Sequence, residues 1–276
     1  MTELKMKMTE LLFQSHGIDI SKYDDDFIEK SIIRRIQQNN CASKKDYLSF
    51  FCENEIEGKL FLESLFISYS EFFRNPLTFA VLENIVLSGI LLKNSKNKKK
   101  EIRIWSAACA AGQETYSLAM LLNEHKSSEG KMINFRIFAT DYSEAQVKMA
   151  QQGQFQSTAL SNLNLRRATQ WFKKRGESYT VKTELKERID FSVFDLLCED
   201  HSCPPNSIYG DFDIVLCANL LFYYKPEYRK KIMDKASRCL AQGGYVITGE
   251  TEREIMMRYN FEEVYPQSCI FRKTHE

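Results

Sequence analysis

Nowhere does the chain carry an unbroken apolar run of the about 18 residues that a membrane-spanning helix needs, so no span and no membrane insertion are expected. The start, MTELKMKMTELL, interleaves charges with apolar residues and lacks a signal-peptide core. The expected location is therefore the cytoplasm. Glycine and proline are scarce, 11 and 5 in 276 residues, which excludes collagen-like and linker-dominated chains. Net charge is nearly absent: 38 Lys+Arg against 37 Asp+Glu leave +1. No global field then draws the protein to nucleic acid or to an anionic membrane. No Cys-x-x-Cys pair occurs among the eight cysteines, which are expected as free thiols in a reducing compartment. Cys198, His201 and Cys203 lie close together but have no second ligand pair, so they read as a polar loop and no metal is expected.

What is present is ordinary globular composition, 43% hydrophobic and 27% charged, in a length that suits one large domain or two modest ones. Residues 1–92 read as a helical N-terminal domain. Ile28, Ile32 and Ile36 recur at helical spacing, with Arg34 and Arg35 on the other side. Tyr47, Leu48 and Phe51 mark another short helix. At Asn75-Pro76 an amide can cap a helix whose first residue has no N–H to lose. Residues 93–101, KNSKNKKKE, form a basic run without the aromatics that stack on bases, and read as a solvated connection.

From residue 93 to the end the rhythm alternates strand and helix. Strands are expected at 102–107, 135–140, 212–217 and 245–248. The intervening helices are expected at 115–124, 143–151 and 228–240, the last ended by Gly243-Gly244. That alternation predicts an α/β domain with a mainly parallel sheet, and ligands in such sheets sit at the carboxyl ends of the strands. Residues 152–190 break the pattern around the turn Lys174-Arg175-Gly176, and read as a small inserted β subdomain.

Three places can carry chemistry. The loop Ser106–Glu114 is built of small residues and feeds a helix N-terminus. It has neither a dinucleotide nor a phosphate-loop fingerprint, and its small residues would equally serve tight strand–helix packing. Asp141 ends the second strand, where a carboxylate can accept both hydroxyls of a ribose; it would equally serve as a helix cap. Asn219 follows a buried strand and precedes Phe222-Tyr223-Tyr224, suiting either a turn or a wall beside a planar base. An acidic ribose contact without a phosphate loop points to an adenosine-type ligand lacking phosphates, of which S-adenosylmethionine is the commonest.

Four ordered blocks make the reading specific: Ser70-Glu71-Phe72-Phe73-Arg74, Ile104 to Met120, Ala139-Thr140-Asp141-Tyr142-Ser143, and Cys217 to Tyr224. Together they resemble the chemotaxis protein methyltransferase (CheR) family over nearly the whole chain. The resemblance implies a Rossmann-like methyltransferase sheet with a small inserted β subdomain, preceded by an all-α domain. It implies S-adenosylmethionine as donor, S-adenosylhomocysteine as product, and glutamate side chains of chemoreceptors as acceptors. Residue by residue, it implies cofactor contacts at Ser68, Ser70, Arg74, Glu114, Asp141, Asp195, Leu196, Asn219 and Leu220, with Arg74 and Tyr223 at the transfer step. The implied partner is the helical cytoplasmic part of a chemoreceptor, which the Lys30, Arg34 and Arg35 face would suit, and a monomer is expected. Three positions depart from the family's usual residues: Gln113 replaces the first of two acids, Ala218 an Arg, and Ser68 an Asn. These departures leave two alternatives, a catalytically weak regulator that binds the donor or its product, and a methyltransferase acting on a small molecule.

Overall fold

The computed structural model describes residues 3–65, 69–96, 101–125 and 132–273. The chain divides into two compact units, Met1–Ile67 with Leu221–Arg229, and Ser68–Leu220 with Lys230–Glu276.

The first unit is built from helices α1 (Glu3–His16), α2 (Asp25–Gln38), α3 (Lys44–Glu53) and α4 (Glu55–Leu65). Asp24 caps α2 by accepting from the N–H of Asp26, and Ser43 caps α3 by accepting from that of Asp46. Met8, Leu12, Ile28, Ile32, Tyr47 and Phe61 share its core. Inside this core sits a carboxylate. Glu57 is 1% exposed and accepts from Arg35 Nε at 2.8 Å, Arg35 Nη2 at 2.5 Å and the Tyr47 hydroxyl at 2.8 Å. Arg35, expected on a solvated face beside Arg34, is thus turned inward, because a desolvated carboxylate on α4 needs a cation. Arg34 and Lys30 remain exposed. Tyr223 belongs to this unit, its ring 4.8 Å from that of Phe27.

The second unit begins before the sheet. Helices α5 (Pro76–Val81) and α6 (Leu87–Lys96) are joined by a π turn, Leu82–Val86, and the Asn75 side chain caps the start as its sequence suggested. The whole run Pro76–Asn94 is long and apolar enough to cross a membrane, contrary to the expectation that no stretch approaches that length. Its apolar face is occupied otherwise: Phe79, Leu82, Val86, Leu87 and Ile90 join Ile104, Ile214 and Ile247 in one core. For the same reason the boundary expected at residue 92 falls earlier, and residues 69–92 belong with the sheet. Of the basic run, residues 97–100 lie outside the described residues.

Along the chain follow β1 (Ile102–Ala107), α7 (Gln113–Glu124), β2 (Phe135–Asp141), α8 (Glu144–Gln152), β3 (Gln154–Gln156), α9 (Leu165–Trp171), β4 (Phe172–Arg175), β5 (Ser178–Val181), α10 (Thr183–Lys186), β6 (Ile189–Val193), β7 (Phe212–Leu216), α11 (Pro226–Cys239), β8 (Leu240–Ile247), α12 (Arg253–Met257), β9 (Phe261–Glu263) and β10 (Ile270–Lys273). The main sheet has the order β6-β2-β1-β7-β8-β10-β9. Its first five strands are parallel; β10 and β9 are added antiparallel. The order reverses between β1 and β7, which opens a crevice at their carboxyl ends. A separate antiparallel sheet, β3-β5-β4, is the inserted subdomain, and β6 follows it.

One boundary differs for a local reason. Gly243-Gly244, expected to end a helix, lie inside β8, where the pairing with β7 shifts register between Phe212 and Ile214. Gly243 has φ +66°, and a Cβ on Gly244 would stand 2.9 Å from the Phe212 carbonyl oxygen, so the bulge admits glycine alone.

The Glu57 cluster yields a stability prediction. Glu57→Ala leaves a partly buried guanidinium and the buried Tyr47 hydroxyl without their acceptor and is expected to cost about 3 kcal/mol in chemical denaturation. Arg34→Ala, on the exposed side of the same helix, is expected to stay within about 0.5 kcal/mol.

Candidate functional site

The loop between β1 and α7 is held in an unusual shape. Ala108 and Ala110 have φ of 55° and 48°, and Gly112 has φ of 91°. Left-handed alanines persist only where neighbours over-determine them. Here the Asp141 carboxylate does so, accepting from the N–H of Ala110 at 2.9 Å and of Ser143 at 2.9 Å, while the Cys109 N–H donates to the Thr140 carbonyl at 2.9 Å. Ser143, not Asp141, caps α8. Burial raises the Asp141 pKa, against the pull of those two N–H groups. At Gly112 smallness serves protein packing, since a Cβ would lie 3.1 Å from Ala150 Cβ and 3.2 Å from the Tyr116 ring.

The segment before α5 is pinned by Phe73, whose N–H donates to Ser117 Oγ at 3.0 Å and whose φ is 48°. This presents Arg74, which is partly buried. Its Nη1 donates to the Tyr69 carbonyl at 3.3 Å, and its guanidinium lies 5.3 Å from the Tyr69 ring centre. Beyond β7, Asn219 is left-handed at φ 58°.

Of these pieces, Arg74 and Asn219 border one cavity of about 330 Å³, together with Glu114 from the first turn of α7; the left-handed residues of the loop after β1 and Asp141 do not line it. Its charged and polar lining includes Tyr69, Glu71, Arg74, Glu114, Asn219, Thr248 and Glu250; Phe79, Leu82, Leu118, Leu216, Ala218 and Ile247 supply the apolar part. Three carboxylates face one guanidinium, so the lining suits a ligand with positive charge. The Glu114 carboxyl is raised from 4.5 to about 7, chiefly by burial, with Glu252 and Glu71 adding to the rise and Arg74 opposing it.

Of the residues singled out in the sequence, the cavity brings together Arg74, Glu114 and Asn219. Asp141 and Asp195 form a second group at the ends of β2 and β6: Asp141 pairs with Val193, the Phe194 N–H donates to the Asp141 carbonyl at 3.0 Å, and Asp195 Oδ1 accepts from the N–H of Leu197 at 2.8 Å. Leu196 belongs to that turn. The N–H of Leu220 is held by Glu252, as described below. Ser68 lies outside the described residues. Tyr223 is not among the residues that line the cavity. The backbone carbonyls of Cys198 and His201 accept from the Lys235 ammonium. Missed in the sequence was the turn after β8, Thr248-Gly249-Glu250-Thr251-Glu252. Its signal was an acidic residue just after an apolar strand, the same signal that singled out Asp141, here with a glycine before it.

One lining atom has no partner: Thr248 Oγ1 is buried without a hydrogen bond. Ser70 Oγ and Gln113 Oε1, in the blocks on which the resemblance rests, are likewise buried and unpartnered, but these two residues do not line the cavity. Buried polar atoms of this kind cost about 1–3 kcal/mol each unless a ligand satisfies them. Thr248 and the lining carboxylates thus fit the polar, positively charged methionine end of an adenosyl donor.

Comparison with known proteins now decides the family. Residues 68–268 match the family model described as CheR methyltransferase, SAM binding domain. The chain belongs to the CheR methyltransferase family. As a member it is an S-adenosylmethionine-dependent methyltransferase. It is 27% identical to the chemotaxis protein methyltransferase of Listeria innocua, over 89% of this chain and 88% of that one. It is 33% identical to the chemotaxis protein methyltransferase Cher2 of Pseudomonas putida, over 65% of this chain and 64% of that one. An uncharacterized 104.1 kDa protein of Rhodobacter capsulatus matches 96% of this chain at 27% identity, but the chain spans only 27% of that protein.

In this CheR-family chain the raised Glu114 pKa has a consequence for stability. The folded state binds the Glu114 proton more tightly than the unfolded state does. The stabilisation from that proton is complete below pH 4.5 and is lost as pH rises toward about 7. Glu114→Gln is therefore expected to raise the thermal midpoint at pH 8, with the gain shrinking to nothing near pH 4.5. Equal midpoints at both pH values would contradict the assignment.

Proposed function

We propose that this methyltransferase transfers the methyl group of S-adenosylmethionine to glutamate side chains in the cytoplasmic helices of chemoreceptors. The products would be glutamate methyl esters and S-adenosylhomocysteine. The reading places the protein in the cytoplasm, acting as a monomer. The observation that carries it is the cavity at the carboxyl ends of β7 and β8, where Arg74, Glu114 and Asn219 converge. The Asp141 and Asp195 group would take the ribose and adenine end, since Asp141 commits two of its roughly four acceptor positions to backbone N–H groups and keeps the rest. Glu114 and the other lining carboxylates would take the positively charged methionine end.

The donor supplies an activated methyl group, and the chain's residues have to orient the acceptor. A glutamate carboxylate has an ordinary pKa near ~4.3 and is ionised at neutral pH, so no general base is needed. The work left to the protein is alignment and exclusion of water, which can contribute on the order of 7–11 kcal/mol. Among the described residues that line the cavity Arg74 is the one cation. Its planar fork suits a carboxylate, and among the described residues its hydrogen bond is to a backbone carbonyl. With Ala218 where the family usually has Arg, that task falls to Arg74. The regulator alternative gains no support from the Ala218 and Gln113 departures, because both leave Arg74, Glu114 and Asn219 at the cavity.

Two measurements test this reading. Donor carrying a tritiated methyl group, incubated with the protein and a chemoreceptor cytoplasmic fragment, should label the receptor with radioactivity that base releases as methanol. Base-stable label, or label confined to small molecules, would contradict it. Arg74→Ala should abolish transfer while shifting the thermal midpoint little, because the side chain is only partly buried and its hydrogen bond to the Tyr69 carbonyl is a long one at 3.3 Å; an unchanged rate would remove Arg74 from the mechanism.

A further inference from the structure

The last ladder bond between β7 and β8 at their carboxyl ends is Cys217 N–H to the Ile247 carbonyl, at 2.8 Å. Beyond it the two strands part into separate turns, and a buried side chain joins them. Glu252 is 0% exposed. Its Oε2 accepts from the N–H of Asn219 at 2.8 Å and of Gly249 at 2.7 Å, and its Oε1 accepts from the N–H of Leu220 at 2.7 Å. Asn219 is left-handed, a conformation its short polar side chain tolerates. Its amide lies flat on Gly249: a Cβ there would be 2.4 Å from Asn219 Nδ2 and 2.8 Å from its Cγ. Asn219 and Gly249 both line the cavity.

We propose that Glu252 is a positioning residue for donor binding, its carboxylate tying the turn after β7 to the turn after β8 so that the Asn219 amide is held against the cavity. A purely local role would not need this residue. At the third position of a helical turn, Glu and Gln serve equally to satisfy the one N–H at the turn's start. Three converging N–H groups need two acceptor oxygens, which only the carboxylate provides. In Glu252→Gln the amide nitrogen would face at least one N–H, donor against donor. With its oxygen kept on the Asn219 and Gly249 N–H groups, the turn loses the Leu220 bond, which fixes the residue directly after the left-handed Asn219. The proposal rests on reading Asn219 as a donor contact.

The test is a double-mutant cycle read by calorimetric titration of the full-length protein with S-adenosylhomocysteine, at a temperature where circular dichroism shows every variant folded. Glu252→Gln and Asn219→Ala should each weaken binding by roughly tenfold, the scale of one hydrogen bond to a charged group. The double variant should bind no worse than Asn219→Ala alone, because Glu252 acts through Asn219. Near-native binding by either single variant overturns the proposal, as does a double variant in which the two losses multiply. Should Glu252→Gln fail to fold, Gly249→Ala takes its place: it keeps the carboxylate but displaces the Asn219 amide. It should weaken binding more in the native background than alongside Asn219→Ala, where only the contact of the added Cβ with the backbone nitrogen of residue 219, at 3.0 Å, remains; no effect in the native background, or an equal effect in both, overturns the proposal. Failure of the unmodified protein to bind S-adenosylhomocysteine would instead bring down the donor-site reading itself, and the proposal with it.

Discussion

Two carboxylates, the half-buried Asp141 and the fully buried Glu252, each accept backbone N–H groups from strand-end turns and hold the loops on the ligand side of the sheet. Asp141 holds the loop after β1 against the end of β2, and Glu252 holds the turn after β7 against the turn after β8. Strand ends splay as hydrogen-bonded pairing stops, and the loops there must find partners for their N–H groups. Carboxylates supply strong ones, because a charged acceptor shortens and strengthens the bond. The result is a crevice whose walls are fixed before any ligand arrives. Left-handed Ala108, Ala110 and Asn219 record the strain that this fixation absorbs.

Charge within the crevice follows from the same arrangement. Burial beside Glu71 and Glu252 lifts the Glu114 carboxyl toward neutrality, with Arg74 as the opposing cation. A sulfonium donor and an anionic acceptor attract one another in the ground state and lose their charges as the methyl moves. Strong electrostatic stabilisation of the separated ions would therefore slow the step, and a site that mainly orients is the better design. A partly buried arginine beside a carboxyl held near neutrality can adjust to either partner.

Much of this was legible in the sequence, and the limits have physical causes. The parallel strands read clearly because strands buried on both faces appear as continuous apolar runs, as in Phe212–Leu216. Arg74, Glu114 and Asn219 were visible through their motifs. Periodicity failed where one residue does two jobs. Arg35 sits at a position that looks solvent-facing, yet Glu57 from another helix turns it inward. Gly243-Gly244 resemble a helix stop but form a bulge, because the close approach of the Phe212 carbonyl cannot be read from local sequence. The helix start at Asn75-Pro76 was legible, but not that the run from it to Asn94 belongs with the sheet, because its apolar face joins a core built from distant strands. Glu252 escaped notice because its role lies in three backbone groups that no side-chain pattern reveals.

The central claim is that the cavity bordered by Arg74, Glu114 and Asn219 receives the methionine end of the donor, with Asp141 at its ribose. A crystal structure of the protein with S-adenosylhomocysteine tests it most directly. The account predicts the ribose hydroxyls within hydrogen-bond distance of the Asp141 carboxylate and the amino-acid end of the ligand in contact with Glu114 and Asn219. A ligand bound elsewhere, or bound with Asp141 and Glu114 untouched, would contradict it.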